Sequence, residues 1–284
     1  MKIENSFTSK RMERLSKHFS LHGIFLTVLV GMMFFVISGA SDMSGRLVAQ
    51  ELQQQEVFMD DDEKSPPPPP EGAREIILRV FLQGYYINDG DKKLRQARDF
   101  IGGEPTPRFN HPKSDNITVR LHDVADYGDV LFTAENVSLL VTGWTVRIQI
   151  PDNIEEEVWV SVKHRNHLET VHGTKLDLTE PGGGLQPQVY SIDFTNDGNG
   201  GDPSYGENQH HLGGGVYGIY AGDVDQDGEV TIIDRADVVD ALTNAIVGYV
   251  PEDFDGDGEI TIIDRAIVVD ALTNARAVVR PASR

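Results

Sequence analysis

A 23-residue block occurs twice near the C-terminal end of this chain, and it restricts the local structure more tightly than any other feature. Residues 223–245 read DVDQDGEVTIIDRADVVDALTNA and residues 253–275 read DFDGDGEITIIDRAIVVDALTNA, so only four of 23 positions differ. Each copy places carboxylates at alternate positions, Asp223, Asp225 and Asp227 in the first and Asp253, Asp255 and Asp257 in the second. A glycine follows each triplet, Gly228 or Gly258, where the chain must turn sharply at positive φ. Asp234 or Asp264 stands in the twelfth place. This is the spacing of a calcium loop. Calcium is a hard cation that takes roughly six to eight oxygens, and alternate residues of a tight loop aim their carboxylates inward. Glu229 and Glu259 are expected to give backbone carbonyls, with Thr231 and Thr261 acting through water. Two calcium ions per chain are the expected cofactor.

A helix is predicted to leave each loop. Thr231 and Asp234 have capping-box spacing, with the acid at the positive end of the helix. Ile232, Ala236, Val239 and Leu242 recur near helical spacing and are the expected apolar positions. The entering segments, 213–222 and 248–252, are too rich in glycine and proline for a helix. Each unit is therefore a loop with an exit helix only. Two such units resemble a dockerin module, with the likeness confined to 222–275. The resemblance implies a fold that depends on calcium and a cohesin-like or other cell-surface protein as partner. The chain departs from dockerins of cellulase complexes at the first helical residues. Ile232, Ile233, Ile262 and Ile263 stand where Ser/Thr pairs are frequent. They either form an apolar docking face or bury themselves between the repeats or against the preceding domain, and burial is the preferred reading.

Upstream, apolar and polar residues alternate with period two. The pattern runs through residues 76–83, 117–122, 146–150, 158–163 and 190–194, and more weakly through 130–133 and 176–179. About seven short strands of this kind predict an antiparallel β-sandwich. The expected fold class is mainly β, a sandwich over 74–221 followed by a small helical pair of calcium repeats over 222–276 and a tail, 277–284. Residues 92–100 read as one short helix within a loop. The stretches VKHRNHLETV and YGENQ…GGVYGIYAGD also resemble a β-domain found before such repeats in large exported bacterial proteins.

The N-terminal segment is a basic stretch, Lys10, Arg11, Arg14 and Lys17, before a 17-residue apolar run from Ile24 to Ala40. It predicts either a cleaved signal peptide or an uncleaved anchor over 1–40. Both place the rest of the chain outside the cytoplasm, so any membrane association runs through this segment alone. Residues 41–73 carry an acidic run and five consecutive prolines, 66–70. Poly-proline is stiff and extended, so this is a linker.

Composition narrows the function. The formal net charge is -20, which opposes nucleic acid as a partner. There is no cysteine, hence no disulfide framework and no thiolate chemistry. His164, His167 and His172 with Glu169 offer a zinc set, but a polar hairpin with a solvated tip explains them as well. No nucleophile elbow, phosphate loop or dinucleotide fingerprint occurs. No catalytic residue is assigned. The expected function is an exported, non-enzymatic calcium-binding protein for docking or adhesion, with a surface protein or glycan as ligand. The alternative is a carbohydrate-active enzyme, or its accessory subunit, carrying the repeats as an assembly tag.

Overall fold

The period-two segments become two packed sheets. The computed structural model describes residues 73–283 apart from Asp89, 180–187 and Ala275. Residues 1–40, read above as a signal peptide or anchor, most of the linker and one glycine-rich loop therefore lie outside the described residues. No helix among the described residues is long and apolar enough to cross a membrane.

The larger sheet is built on β6 (Lys113–Asp123) and β9 (Glu157–His164), which pair antiparallel. β7 (Val130–Leu140) flanks β6; β10 (His167–Val171) and β11 (Leu176–Asp177) both pair with β9. The register sorts the side chains. Val119 opposes Val162 and Leu121 opposes Val160 on the inner face, while Thr118 opposes Lys163 on the outer face. The smaller sheet has β1 (Arg74–Arg79) at its centre, between β8 (Ile148–Ile150) and β12 (Gln188–Asp193). Ile76, Leu78, Ile148 and Ile192 share one core with the inner face of the larger sheet.

Three expectations need correction. β1 pairs with β12 in parallel, so the sandwich is not wholly antiparallel. β1 is also buried on both sides, with only Arg79 partly exposed, which is how a central strand covered on both faces reads. Residues 92–100 are not a helix. They hold β3 (Lys93–Leu94), paired with β2 (Tyr86–Ile87), and β4 (Arg98–Ile101), paired with β5 (Glu104–Pro107). Lys92 at φ 51° turns the chain, and the amides of Arg95 and Ala97 bond to the carbonyls of Tyr85 and Ser114. Long-range backbone pairing has overridden local helix propensity there. With β13 (His210–Gly213) and β14 (Val216–Gly218), the described residues hold fourteen strands, several of them only two residues long.

Among the described residues two helices complete the fold, α1 (Ile232–Thr243) and α2 (Ile262–Thr273). Both begin with the expected capping box: Thr231 or Thr261 accepts from the third residue of its motif, and Asp234 or Asp264 accepts from the cap amide. The buried stripe is not the one expected. Val238 and Ala241, with Val268 and Ala271, face inward, whereas Ala236 and Val239 are exposed. The inward stripe joins Phe254, Val230 and Ile260 in a second core. Leu168, Tyr220 and Ala221, from the β-rich part, belong to that same core.

Candidate metal centre

Each Asp-rich segment folds on its own short-range hydrogen bonds. Asp225 accepts from the Asp227 amide at 3.1 Å and Asp227 from the Glu229 amide at 2.8 Å. Asp255 and Asp257 repeat the pattern at 3.2 and 2.9 Å. Gly228 and Gly258 sit at φ 95° and 86°, where a side chain would be strained. The outcome is a convergence of oxygens. One carboxylate oxygen from each of Asp223, Asp225 and Asp227 lies within 4.8 Å of the others, and the same holds for Asp253, Asp255 and Asp257.

The remaining expected ligands behave differently. Asp234 and Asp264 are fully buried, and their oxygens accept backbone amides: Val224 and Thr231 for Asp234, Phe254, Asp255 and Thr261 for Asp264. They clasp the ends of their loops together. Glu229 and Glu259 are exposed, consistent with a role through the backbone alone.

The two loops are unequal. In the first, Asp223 is fully buried, and neither carboxylate oxygen has a hydrogen-bond partner among the described residues. Burial, opposed by the nearby Gly228 amide and reinforced by Asp234, Asp227 and Asp225, pushes its carboxyl up to about 7. In the second, Asp253 accepts from the amides of Gly256 and Gly258 at 2.9 and 3.1 Å. Burial still raises it to about 7, against the pull of Arg165. The guanidinium of Arg95 enters this loop, 2.9 Å from Asp255 and 3.8 Å from Asp257.

A buried carboxylate with no partner is costly unless a cation accompanies it. An all-oxygen triplet of this geometry fits a hard divalent cation such as calcium. Asp223, Asp225 and Asp227 would hold one ion and Asp253, Asp255 and Asp257 another, each ion supplying the positive charge that the buried acids lack.

The second loop is seated on the tip of the β9–β10 hairpin. Asn166 donates to the carbonyls of Pro251 and Asp253 at 2.9 and 2.8 Å. Arg165 donates to the carbonyls of Val250 and Asp253, and to the Tyr85 hydroxyl at 2.8 Å. Behind them Asp115, fully buried, meets the hydroxyls of Tyr85 and Tyr249 and lies 3.1 Å from His164 Nε2. Burial alone would raise this carboxyl, but His164, Arg165 and Tyr249 hold it well below the usual range. The solvated tip expected for this hairpin is thus a correction. His164, Asn166 and His167 are buried, Asn166 against the second loop and the two imidazoles among Asp115, Asn166 and the Gln83 carbonyl. His172 is partly exposed and turns to the Thr174 carbonyl, away from the pair. The only clusters of three or more convergent metal-ligating groups among the described residues are the two Asp triplets.

Sequence reasoning missed Arg95, Tyr85 and Asp115. They sit at unremarkable positions in the strand region, and only the tertiary fold brings them to a loop more than 100 residues away. The isoleucines are a further correction. Ile232 and Ile262 are 71% and 74% exposed, and Ile233 and Ile263 are exposed as well. They occupy the first turn of each helix, on the side away from the second core.

No protein-family model matches the chain, and no curated protein matches it. Among solved structures it is similar to a C-terminal interface mutant of a type II cohesin-X-dockerin complex from Acetivibrio cellulolyticus. Identity is 14%, over 70% of this chain and 95% of that chain, with a TM-score of 0.36. An N-terminal interface mutant of the same complex gives 13%, the same coverage and a TM-score of 0.35.

Proposed function

We propose that this chain is an exported calcium-binding docking protein, whose C-terminal dockerin-like repeats bind two calcium ions and attach it to a partner protein at the cell surface. The observation that carries the reading is Asp223. A fully buried carboxylate with two unpartnered oxygens, facing two further carboxylates, is arranged for a cation. The near-identity of the repeats extends the argument to the second loop. Docking is supported by the pairs Ile232/Ile233 and Ile262/Ile263, equivalent apolar residues exposed at equivalent places on two helices. A monomer gains nothing by exposing large apolar side chains in matched pairs, whereas an interface core does. A cohesin-like surface protein is the partner this reading expects.

Calorimetric titration of the metal-free full chain with calcium tests the metal sites. Two ions per chain are expected, and a stoichiometry near zero would overturn the reading. Replacing Ile232 and Ile262 together by Asp should leave that stoichiometry intact and abolish capture of the cell-surface partner. Cell fractionation should find the chain outside the cytoplasm.

A further inference from the structure

A cleft of about 480 Å³ opens on the outer face of the larger sheet, beside the first calcium loop. Its lining has the opposite electrical character to the chain as a whole. Arg108, Arg120, Lys163 and Arg165 line it, and no carboxylate does, although the chain carries 45 acids against 25 Lys and Arg. Two of these cations are already engaged. Arg108 pairs with Asp99 at 2.6 Å, and Arg165 lies 3.7 Å from the buried Asp115. Arg120 and Lys163 have no carboxylate within ion-pair distance among the described residues. They project from β6 and β9 on the outer face, two residues apart across the register that pairs Thr118 with Lys163.

The engaged pair is held rigidly. Arg108 and Arg165 both stack on the Tyr249 ring, their guanidinium carbons 4.3 and 4.2 Å from its centre. Stacking of this kind fixes a guanidinium in place, and Arg165 already donates to the Val250 and Asp253 carbonyls and the Tyr85 hydroxyl. Between the cations the wall is amide and hydroxyl: Asn116, Thr118, Asn136 and Gln226. Asn116 keeps a buried side-chain oxygen without a partner. Asn136 and Gln226 both sit at positive φ, 56° and 61°, a conformation uncommon for residues with a side chain. Asn136 lies at an irregularity of the β6–β7 pairing, between Ile117–Val137 and Val119–Ala134. Bulges and strained residues of this sort re-aim side chains and gather at binding sites.

We infer that this cleft binds a short acidic saccharide, with Arg120 and Lys163 taking its oxyanion and the amides and Thr118 taking its hydroxyls. The volume falls within the range of small-ligand sites, roughly 300–1,000 Å³. Free N–H donors on Arg and Lys recognise carboxylate or sulfate. The amides of Asn116 and Asn136 and the Thr118 hydroxyl, which donate and accept, match sugar hydroxyls; Gln226, whose Nε2 donates to the Asp223 carbonyl at 2.7 Å, contributes its oxygen. A long polyanion such as a nucleic acid would meet the acidic surface outside the cleft. A peptide strand would need a free sheet edge, whereas these cations stand on a sheet face. The inference rests on no metal ion.

The test is calorimetric titration of the full chain at low ionic strength with three trisaccharides. They are trigalacturonate, a sulfated galactose trisaccharide and neutral galactotriose. At least one acidic trisaccharide should bind at least tenfold more tightly than the neutral one, and the pair of acidic arms separates carboxylate from sulfate. Lys163→Ala and Arg120→Ala should each weaken that binding at least fivefold, with circular dichroism and calcium stoichiometry unchanged. Should Arg120→Ala unfold the chain, Lys163→Glu serves in its place and should abolish binding. Absence of binding by both acidic sugars overturns the inference, as does equal affinity for galactotriose or indifference to the Lys163 variants. Equal binding of triglutamate would overturn the saccharide assignment.

Discussion

Asp223 and Arg95 show how two nearly identical loops are made inequivalent by single residues. Asp223 is buried with no hydrogen-bond partner, so without metal its negative charge destabilises the fold. Asp223→Asn removes the charge and keeps the shape. In chelator the variant should be more stable than the parent, on the order of 1–3 kcal/mol. In calcium at a thousand times the dissociation constant the order should reverse, because the filled site contributes about 4.1 kcal/mol that the variant forgoes. Urea denaturation in both conditions reads the crossing, and a variant less stable in chelator as well would show that Asp223 is not an uncompensated charge. Arg95 acts on the other loop. Its guanidinium, 2.9 Å from Asp255, occupies ground that an ion would need. Arg95→Ala in the Asp223→Asn background, where only loop two remains, should tighten calcium binding several-fold. Weaker binding there would mean that Arg95 shapes the loop instead of competing for it.

At the scale of elements, the proposed calcium ions would compete with protons for the same buried oxygens. Burial lifts Asp223 and Asp253 to about 7 and Asp255 to about 6. The folded, metal-free chain therefore keeps protons that the unfolded chain has released above about pH 4. Unfolding then releases protons from these carboxyls, so their contribution to metal-free stability falls as pH rises from about 4 to about 7 and levels off beyond it, while His122, His167 and His210, held below the ordinary imidazole range by burial, act in the opposite sense. Calcium affinity runs the opposite way, because the ligands must lose those protons to bind. Titrations at pH 5.5 and 7.5 should show clearly tighter binding at the higher pH, with protons released to the buffer at the lower one. Equal affinities would contradict the raised carboxyls.

These same loops and helices were the most legible elements in the sequence, because each is specified locally. Asp, Gly and Thr at fixed offsets set the turn and the cap without help from the rest of the chain. The main strands β1, β6, β8, β9 and β12 were legible from their alternation. What alternation cannot convey is partnership, so the parallel pairing of β1 with β12 went unread. Strands two residues long, β2 and β3 among them, have no period to detect. Two of the four differences between the repeats become intelligible only in the fold. Phe254, where loop one has Val224, is fully buried, and Gly256, where loop one has Gln226, lies under the Tyr85 ring.

Gly256 also decides how the whole molecule holds together. Loop one and loop two share a backbone conformation at this position, with φ 61° at Gln226 and 69° at Gly256. A side chain is thus tolerable to the backbone in one loop and absent from the other for a steric reason. A Cβ on Gly256 would stand 2.5 Å from the ring of Tyr85. Tyr85 cannot step aside, since it is fully buried and its hydroxyl bonds both Asp115 and Arg165 at 2.8 Å. Gly256→Ala should therefore push loop two off the β9–β10 hairpin, at a cost of about 1–3 kcal/mol. Once loop two lifts, Arg165 and Asn166 lose the carbonyls of Val250, Pro251 and Asp253 that now receive their N–H groups. Amide exchange in saturating calcium should then accelerate together in residues 164–167 and 253–258. Loop one, which meets the hairpin through the Gly222 and Gln226 N–H groups and is tied to the C-terminal segment by the Val230 and Val278 amides, should keep its protection. If loop two alone accelerates while the hairpin stays protected, the hairpin is held by the sandwich and owes nothing to the loop above it.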